Sequence, residues 1–344
     1  MASATIRDVA KFANVSIATV SRVINDSGPV SEETRRVVEA AIEVLDYTPH
    51  PIAQQLSSGS TATIAVILPL LTQPSTTERL RGVQQGLTGS KFELVLYSVE
   101  SPRQKQDYFS KLAHKSRIDG IISITLAPSD PLAEQLVNQG IPTVIIDAGH
   151  PKLSSVTIDN VKGGRMATGH LIELGHDKIA LITDFIDNRF GFKTMTERLA
   201  GYQQALEGAG LPFVSGYHRQ TALDQEEAKL EAIDLLKGDD RPTAIFAASD
   251  TQAIGVLEGA KEVGIGVPDE LSVIGFDDIR DAQYTGLTTI RQHLFESGMR
   301  GANRLLEMIA SDEYLPSQEN LELELVRRET TTAPPALEQR DTRS

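Results

Sequence analysis

Cysteine is absent from the 344 residues, and so is tryptophan. Without cysteine the chain has no disulfide, no thiolate metal site and no cysteine nucleophile, which suits a reducing, cytoplasmic setting. The start, Met1-Ala2-Ser3-Ala4-Thr5-Ile6-Arg7-Asp8, lacks the apolar core of a signal peptide. No apolar run is as long as a membrane span, so no membrane partner is expected. No Gly-x-Gly-x-x-Gly follows a first strand, and no Walker motif occurs. The histidines have no metal-ligand spacing; His170 and His176 are too far apart to stack on one helix face. Catalytic residues, a metal and a cofactor are therefore not expected, and the chain is not expected to be an enzyme. Leucine heptads are also missing from the C-terminal end, so no coiled coil forms there.

Positive charge is scarce: 33 Lys and Arg stand against 47 Asp and Glu, a net charge of −14. Within residues 1–60, Arg7, Lys11, Arg22, Arg35 and Arg36 face Asp8, Asp26, Glu32, Glu33, Glu39, Glu43 and Asp46, a balance of −2. Within residues 1–25 the bases outnumber Asp8 and the balance is +2. Phosphate contacts supply most non-specific affinity for nucleic acid. A DNA-binding chain of this kind holds random DNA weakly and depends on dimerisation and groove contacts.

What is present begins with two short apolar-periodic segments around a break at Ala13-Asn14-Val15-Ser16. Ile6, Val9, Ala10 and Ala13 share one helix face. Ser16 reads as an N-cap for a second helix buried through Val20, Val23 and Ile24. Ile17, Ala18, Ser21, Arg22 and Asn25 then point outward. Two helices this short, joined by a tight turn, match a DNA-binding helix-turn-helix. Ser31-Glu32-Glu33-Thr34 opens a third helix running to about Leu45, with Val37, Val38, Ala41, Ile42 and Leu45 as its apolar stripe. Tyr47 to Pro51 is a linker. Pro51 to Leu56 has the makings of one or two helical turns, too short to be stable alone in water.

From Thr63 the texture changes. Short β-branched runs at 64–68, 93–97, 120–124 and 143–147 alternate with helical patterns. A second such series runs from Gly163 to Ile309. This predicts two doubly wound, parallel α/β lobes with a cleft at their strand ends, where ligands bind in such sheets. The expected organisation is a headpiece over 1–48, a hinge and linker over 49–60, and an effector-binding and dimerisation domain over 61–329. Lobe 1 takes about 61–160 and 290–318; lobe 2 takes about 161–289 and 319–329. Thr330 to Ser344, rich in Thr and Pro, reads as a disordered tail.

The chain outside the tail resembles the LacI/GalR family of bacterial transcription regulators. The resemblance rests on Thr5-Ile6-Arg7-Asp8-Val9-Ala10, on Val15-Ser16-x-x-Thr19-Val20-Ser21-Arg22-Val23-Ile24-Asn25, and on Gly169 to His176, Arg198 to Tyr202, Ala248-Ser249-Asp250 and Gly275 to Asp278. It implies an all-α helix-turn-helix headpiece followed by a two-lobed domain like periplasmic sugar-binding proteins. Its implied partners are a near-palindromic double-stranded DNA operator, a second copy of the chain and a small effector, most simply a sugar. Carried over residue by residue, Ile17, Ala18 and Arg22 read the major groove. Thr5, Ser16, Ser21, Asn25, Ser31 and Thr34 hold phosphates. Pro49 to Leu56 looks like the family's hinge helix, with Ala53 and Leu56 in the minor groove and Leu56 as a wedge. His50 either contacts phosphate or stays a solvated linker residue.

In the cleft the resemblance implies Asp147, Arg198, Ser249 and Asp277 as polar contacts, a set suited to vicinal hydroxyls. Arg198 and Asp277 are expected to pair when the cleft is empty, while Asp250 and Asp278 either reach the ligand or cap the segments after them. The chain departs from the family in several places. Gln73-Pro74-Ser75 stands where Asn-Pro-Phe is usual, and Arg219-Gln220-Thr221 lacks a second expected aromatic. The first aromatic, expected there for stacking, is thus missing, and Gln73 is carried over as an effector contact. Phe190 and Phe192, on a longer loop, either supply the ring face or plug their own loop. Gly286, where Pro is usual, is expected at a joint between the lobes. The expected function is an operator-binding repressor controlled by a sugar. The alternatives are a purine or other metabolite as effector, or a cytosolic solute-binding protein.

Overall fold

The computed structural model describes residues 4–25, 28–47, 60–114, 117–311 and 315–335. The chain forms two compact units, one taking in residues 1–63 and 116–119, the other 64–115 and 120–344.

The first unit contains α1 (Ile6–Phe12), α2 (Ile17–Ile24) and α3 (Glu32–Val44). Each begins at a hydroxyl residue. Thr5 and Asp8 form a reciprocal capping box, and the Ser16 and Ser31 side chains accept from the backbone N–H of Thr19 and Thr34. Asn14, at φ 52°, makes the turn between α1 and α2, a left-handed position that Asn tolerates. The core is Val9, Ala10, Ala13, Val20, Val23, Val38 and Ala41, with Ile6, Ile24, Ile42 and Leu45 packed against it. The stripe expected on α3 needs one correction: Val37 is 46% exposed. At 100° per residue Val38, Ala41, Ile42 and Leu45 share a face that leaves Val37 on its flank.

The second unit runs β1 (Thr63–Pro69), α4 (Pro74–Gly86), β2 (Glu93–Val99), α5 (Pro102–Leu112), β3 (Gly120–Ile124), α6 (Asp130–Asn138), β4 (Thr143–Ile146) and β5 (Ser154–Ile158). It continues through α7 (Asn160–Glu173), β6 (Ile179–Thr183), α8 (Thr194–Gly208), β7 (His218–Gln220), α9 (Gln225–Lys237), β8 (Ala244–Ala247), α10 (Asp250–Glu262) and β9 (Ser272–Asp277). It ends with α11 (Arg280–Tyr284), β10 (Thr288–Arg291), α12 (Leu294–Ala310), β11 (Gln318–Leu321) and β12 (Glu324–Val326). Two six-stranded sheets result, ordered β11-β5-β4-β3-β1-β2 and β12-β10-β9-β8-β6-β7. The inner pairings are parallel, as β1 with β3 and β8 with β9; β12 runs antiparallel to β10. The central strands β1, β3, β4, β6, β8 and β9 are buried almost without interruption, because helices cover both faces.

The chain passes between sheets after β5, after β10 and after β11. The second passage therefore falls at Gln292 and His293, and the third at Glu322 and Leu323, a few residues later than the hydrophobic pattern suggested. Strands β7, β11 and β12 are too short and polar to register as strands in sequence. Gly286 lies at the head of β10 inside the second lobe, not at a joint between lobes. Its φ of 64° closes a tight turn after α11, and proline cannot take that angle.

The tail is a further correction. Thr330 is 5% exposed. Its hydroxyl donates to the Val273 carbonyl and accepts from the Thr288 N–H, while its own carbonyl accepts from the Val273 N–H. Ser272 Oγ and the backbone of Thr332 exchange hydrogen bonds, and His176 Nε2 donates to the Thr332 carbonyl at 2.9 Å. Thr and Pro look disordered by composition, but here the hydroxyls satisfy backbone groups at the sheet margin. Residues 336–344 lie outside the described residues.

Candidate functional site

Ile17, Ala18 and Arg22 occupy one outward face of α2, since residues four apart stack. Ile17 is 45% exposed, and Ala18 and Arg22 are exposed as well. Arg22 has no hydrogen-bond or ion-pair partner among the described residues. Ser21 and Asn25, one turn apart, are half-buried and bonded to each other at 3.2 Å. The Thr5, Ser16, Ser31 and Thr34 hydroxyls are engaged in their own caps. The free backbone N–H groups at the starts of α2 and α3 are donors of the kind that suit an anion. At α1 the Asp8 carboxylate already occupies that place, held below the usual carboxylate range by its bonds to Thr5. His50, Ala53 and Leu56 lie outside the described residues.

In the second unit a cleft opens between the two sheets. Gln73, Asp147, Phe192, Arg198, Ser249 and Asp277 all line it. Phe190 lies next door, on an adjoining chamber. Asp147 follows β4 at φ 67°, and Asp277 ends β9 at φ 125°. With Leu70 and Thr125, also at positive φ, they concentrate backbone strain at the cleft lining.

The side chains form one connected network. Asp147 pairs with Arg79 Nη2 at 2.7 Å and accepts from the Thr125 hydroxyl at 3.0 Å. The same Arg79 nitrogen donates to Gln292 Oε1 at 2.8 Å, and Gln292 donates in turn to Asp277. Arg198 is 2% exposed and lies 3.7 Å from Asp277, so the expected pair is present. Arg198 also donates to Asn160 Oδ1 and to the Ala248 carbonyl, and its guanidinium sits 3.6 Å above the Phe276 ring. Close packing of α7 on α8 fixes it there: a Cβ on Gly201 would lie 2.1 Å from the Val161 carbonyl.

Burial pushes the Asp277 carboxyl up to about 6, with Arg198 and Arg79 opposing the rise. Burial likewise raises Asp184, on the cleft wall, and lowers Arg198. Asp250 is driven well above the usual carboxylate range by burial. It faces away from the ligand space, accepting from the Ile279 N–H and the Thr289 hydroxyl. Asp278 is held by Arg291 and Arg328. Both therefore serve the capping and structural alternative. Ser249 caps α10 and exchanges bonds with Gln252. Gln73 precedes α4, and its side chain donates across to the Leu223 carbonyl of the other lobe at 2.8 Å rather than capping the helix. Phe190 and Phe192 stack on each other with centroids 5.3 Å apart, and Asn188 pins their loop through three backbone bonds. They are thus both a self-packed pair and a wall of the ligand space.

Sequence reasoning missed Arg79, Gln292, Asn160 and Thr125. Arg79 carried a signal, being four residues before Val83 and eight before Leu87 on the buried face of α4. A charge on a core stripe marks a site. Gln292 and Thr125 carried none.

Residues 5–50 match the family model for bacterial regulatory proteins of the lacI family. Residues 168–331 match that of a periplasmic binding protein-like domain. The HTH-type transcriptional repressor PurR of Vibrio atlanticus is 34% identical over 334 residues, 95% of this chain and 98% of that protein. The chain belongs to the LacI family. Among solved structures, the lac repressor dimer bound to operator and the anti-inducer ONPF superposes with a TM-score of 0.84, at 26% identity over 96% of this chain and all of that one. A complex of the transcriptional regulator CelR with cellobiose is 32% identical, covering 95% of this chain and 99% of that one, with a TM-score of 0.68. The family confirms the headpiece and the two-lobed α/β body expected from the sequence. No helix among the described residues is long and apolar enough to cross a membrane.

Proposed function

We propose that this protein is a dimeric transcriptional repressor of the cytoplasm that reads a near-palindromic operator and is controlled by a sugar bound in the cleft. Two headpieces present α2 to successive major grooves, one half-site each. Arg22 supplies a bidentate contact to guanine, worth about 1–3 kcal/mol of discrimination, while Ile17 and Ala18 meet thymine methyls or exclude other bases. The relatives named above, repressors and an operator complex among them, support this reading.

The observation that carries the sugar is the network itself. Asp147 and Asp277 present acceptors, and Arg79 and Arg198 present donors, from both lobes around one cleft. Alternating donors and acceptors match a polyol better than a flat base. A purine is the second reading, since a purine-named repressor is a relative. Against it, Phe192 is the single aromatic ring on the cleft wall among the described residues, so no slot exists to sandwich a base.

The test is a thermal-shift screen of the full chain against hexoses, disaccharides and nucleobases, followed by operator binding with and without each hit. A sugar that raises the melting temperature and changes operator affinity supports the proposal. A response to purines alone refutes the sugar, and failure to bind any near-palindromic sequence selected from random DNA refutes the repressor.

A further inference from the structure

Beside the cleft lies a second chamber. The two share Thr125, Asp147, Phe192 and Thr194 as a partition, so they are compartments of one ligand space. Lys105 of α5 enters the outer chamber from the first lobe, and Glu197 of α8 enters from the second. Lys105 is half-buried and has no hydrogen-bond or ion-pair partner among the described residues. Burial lowers its pKa, with no carboxylate close enough to oppose the shift. Asn160 joins the compartments, accepting from Arg198 on the inner side and donating to Glu197 at 3.3 Å on the outer side. The stacked Phe190 and Phe192 rings give the chamber an aromatic wall.

We infer that the outer chamber is a second sugar subsite, so that the effector is a two-ring glycoside with one ring in the inner cleft and the other beside Phe190, between Lys105 and Glu197. This rests on the sugar reading above. In the inner cleft Arg79 is already paired with Asp147 and Arg198 with Asp277, whereas the Lys105 ammonium awaits an oxygen. A ring hydroxyl accepts from Lys105, another donates to Glu197, and the ring's C–H face lies on the aromatic wall. A phosphate fits less well, because Glu197 and Asp147 border the same chamber and balance Lys105 and Lys193, leaving it without net positive charge.

Calorimetric titration of the full chain tests this, using maltose, cellobiose, trehalose, sucrose, lactose and melibiose against glucose, galactose, fructose and glucose 6-phosphate. One disaccharide should bind at least about tenfold more tightly than either of its monosaccharides. Lys105→Gln should remove that advantage, leave monosaccharide binding within about twofold, and keep the ligand-free melting temperature. Glu197→Gln should weaken the same disaccharide. Monosaccharides binding as tightly as every disaccharide, or Lys105→Gln weakening both alike, would overturn the second subsite while leaving a sugar effector intact. Glucose 6-phosphate binding tightest, and only with Lys105 present, would make the chamber an anion site instead. Binding of no sugar at all would overturn both readings.

Discussion

Arg79 and Asp147 form a buried ion pair whose energetics can be dissected. Arg79 is 4% exposed, and the Asp147 side chain is 8% exposed. Asp147→Asn keeps the shape and the bond to Thr125 but leaves the Arg79 charge buried beside the neutral Gln292. Removing one partner of a buried pair costs about 3–5 kcal/mol, because the other charge stays desolvated. Arg79→Met, which keeps the aliphatic stem, strands the Asp147 carboxylate and should cost a similar amount. The double variant removes both charges and should recover about 2 kcal/mol or more relative to the sum of the single changes. In a domain of this size, each kcal/mol corresponds to about 2–4 °C. The single variants should then melt about 6–20 °C below the parent, and the double variant well above that additive loss. Thermal melts of the four proteins without ligand decide the matter. Single changes costing under about 1 kcal/mol, adding without coupling, would refute a desolvated pair.

Three other outcomes follow from the same structure. Burial lifts the Asp277 carboxyl from its ordinary 3.8 to about 6, so ionising it costs stability; the cost is absent below about pH 4 and full above about pH 6. Ligand hydroxyls need the ionised form as acceptor, so effector affinity measured by titration should fall as pH drops through 6, and Asp277→Asn should flatten that profile. Deleting residues 330–344 strips partners from His176, Ser272, Val273 and Thr288, at about 1–3 kcal/mol for each group left buried and unpaired, and should lower the melting temperature markedly. In Gly201→Ala the new Cβ would lie 2.1 Å from the Val161 carbonyl, so α8 must shift. Stability should fall by about 1–3 kcal/mol and effector affinity with it, because α8 carries Arg198; unchanged ligand titration would break that link.

The legible parts of this chain are those in which local signals agree. In the headpiece, helix period, hydroxyl caps and turn chemistry all point one way; the flank residue Val37 is exposed, and Ser21 and Asn25 are half-buried rather than fully outward. The central strands announced themselves as β-branched runs because both faces are covered. Asp147 and Asp277 at strand ends, and Arg198 on α8, were found through the family resemblance, and they do converge. Arg79 escaped because α4 is polar overall: its spacing from Val83 was a signal, but the charged neighbours in Glu78-Arg79-Leu80-Arg81 outweigh it until the packing of α12 is known. Gln292 meets Arg79 across 213 residues of sequence, a contact that only the chain's second passage between lobes creates. Thr330 to Thr332 misled for the opposite reason. Their composition is that of a loose end, but the same hydroxyls satisfy backbone groups of β9 and β10.

The network also explains how a bound ligand would act on the lobes. It runs from Asp147 through Arg79 to Gln292, and from Asp277 through Arg198 to Asn160. Gln292 and Asn160 stand at two of the three passages between the sheets. A ligand shifts a conformational equilibrium only by binding one state more tightly than the other. A ring that took up Asp147 and Arg79 alone would touch one lobe and bind both arrangements almost equally. A ring that also took an acceptor from Asp277 would replace the bridge that Gln292 now makes, and its affinity would depend on how the lobes meet. The polar groups of the second lobe, rather than the volume of the cleft, therefore decide whether a bound sugar is an effector or merely an occupant.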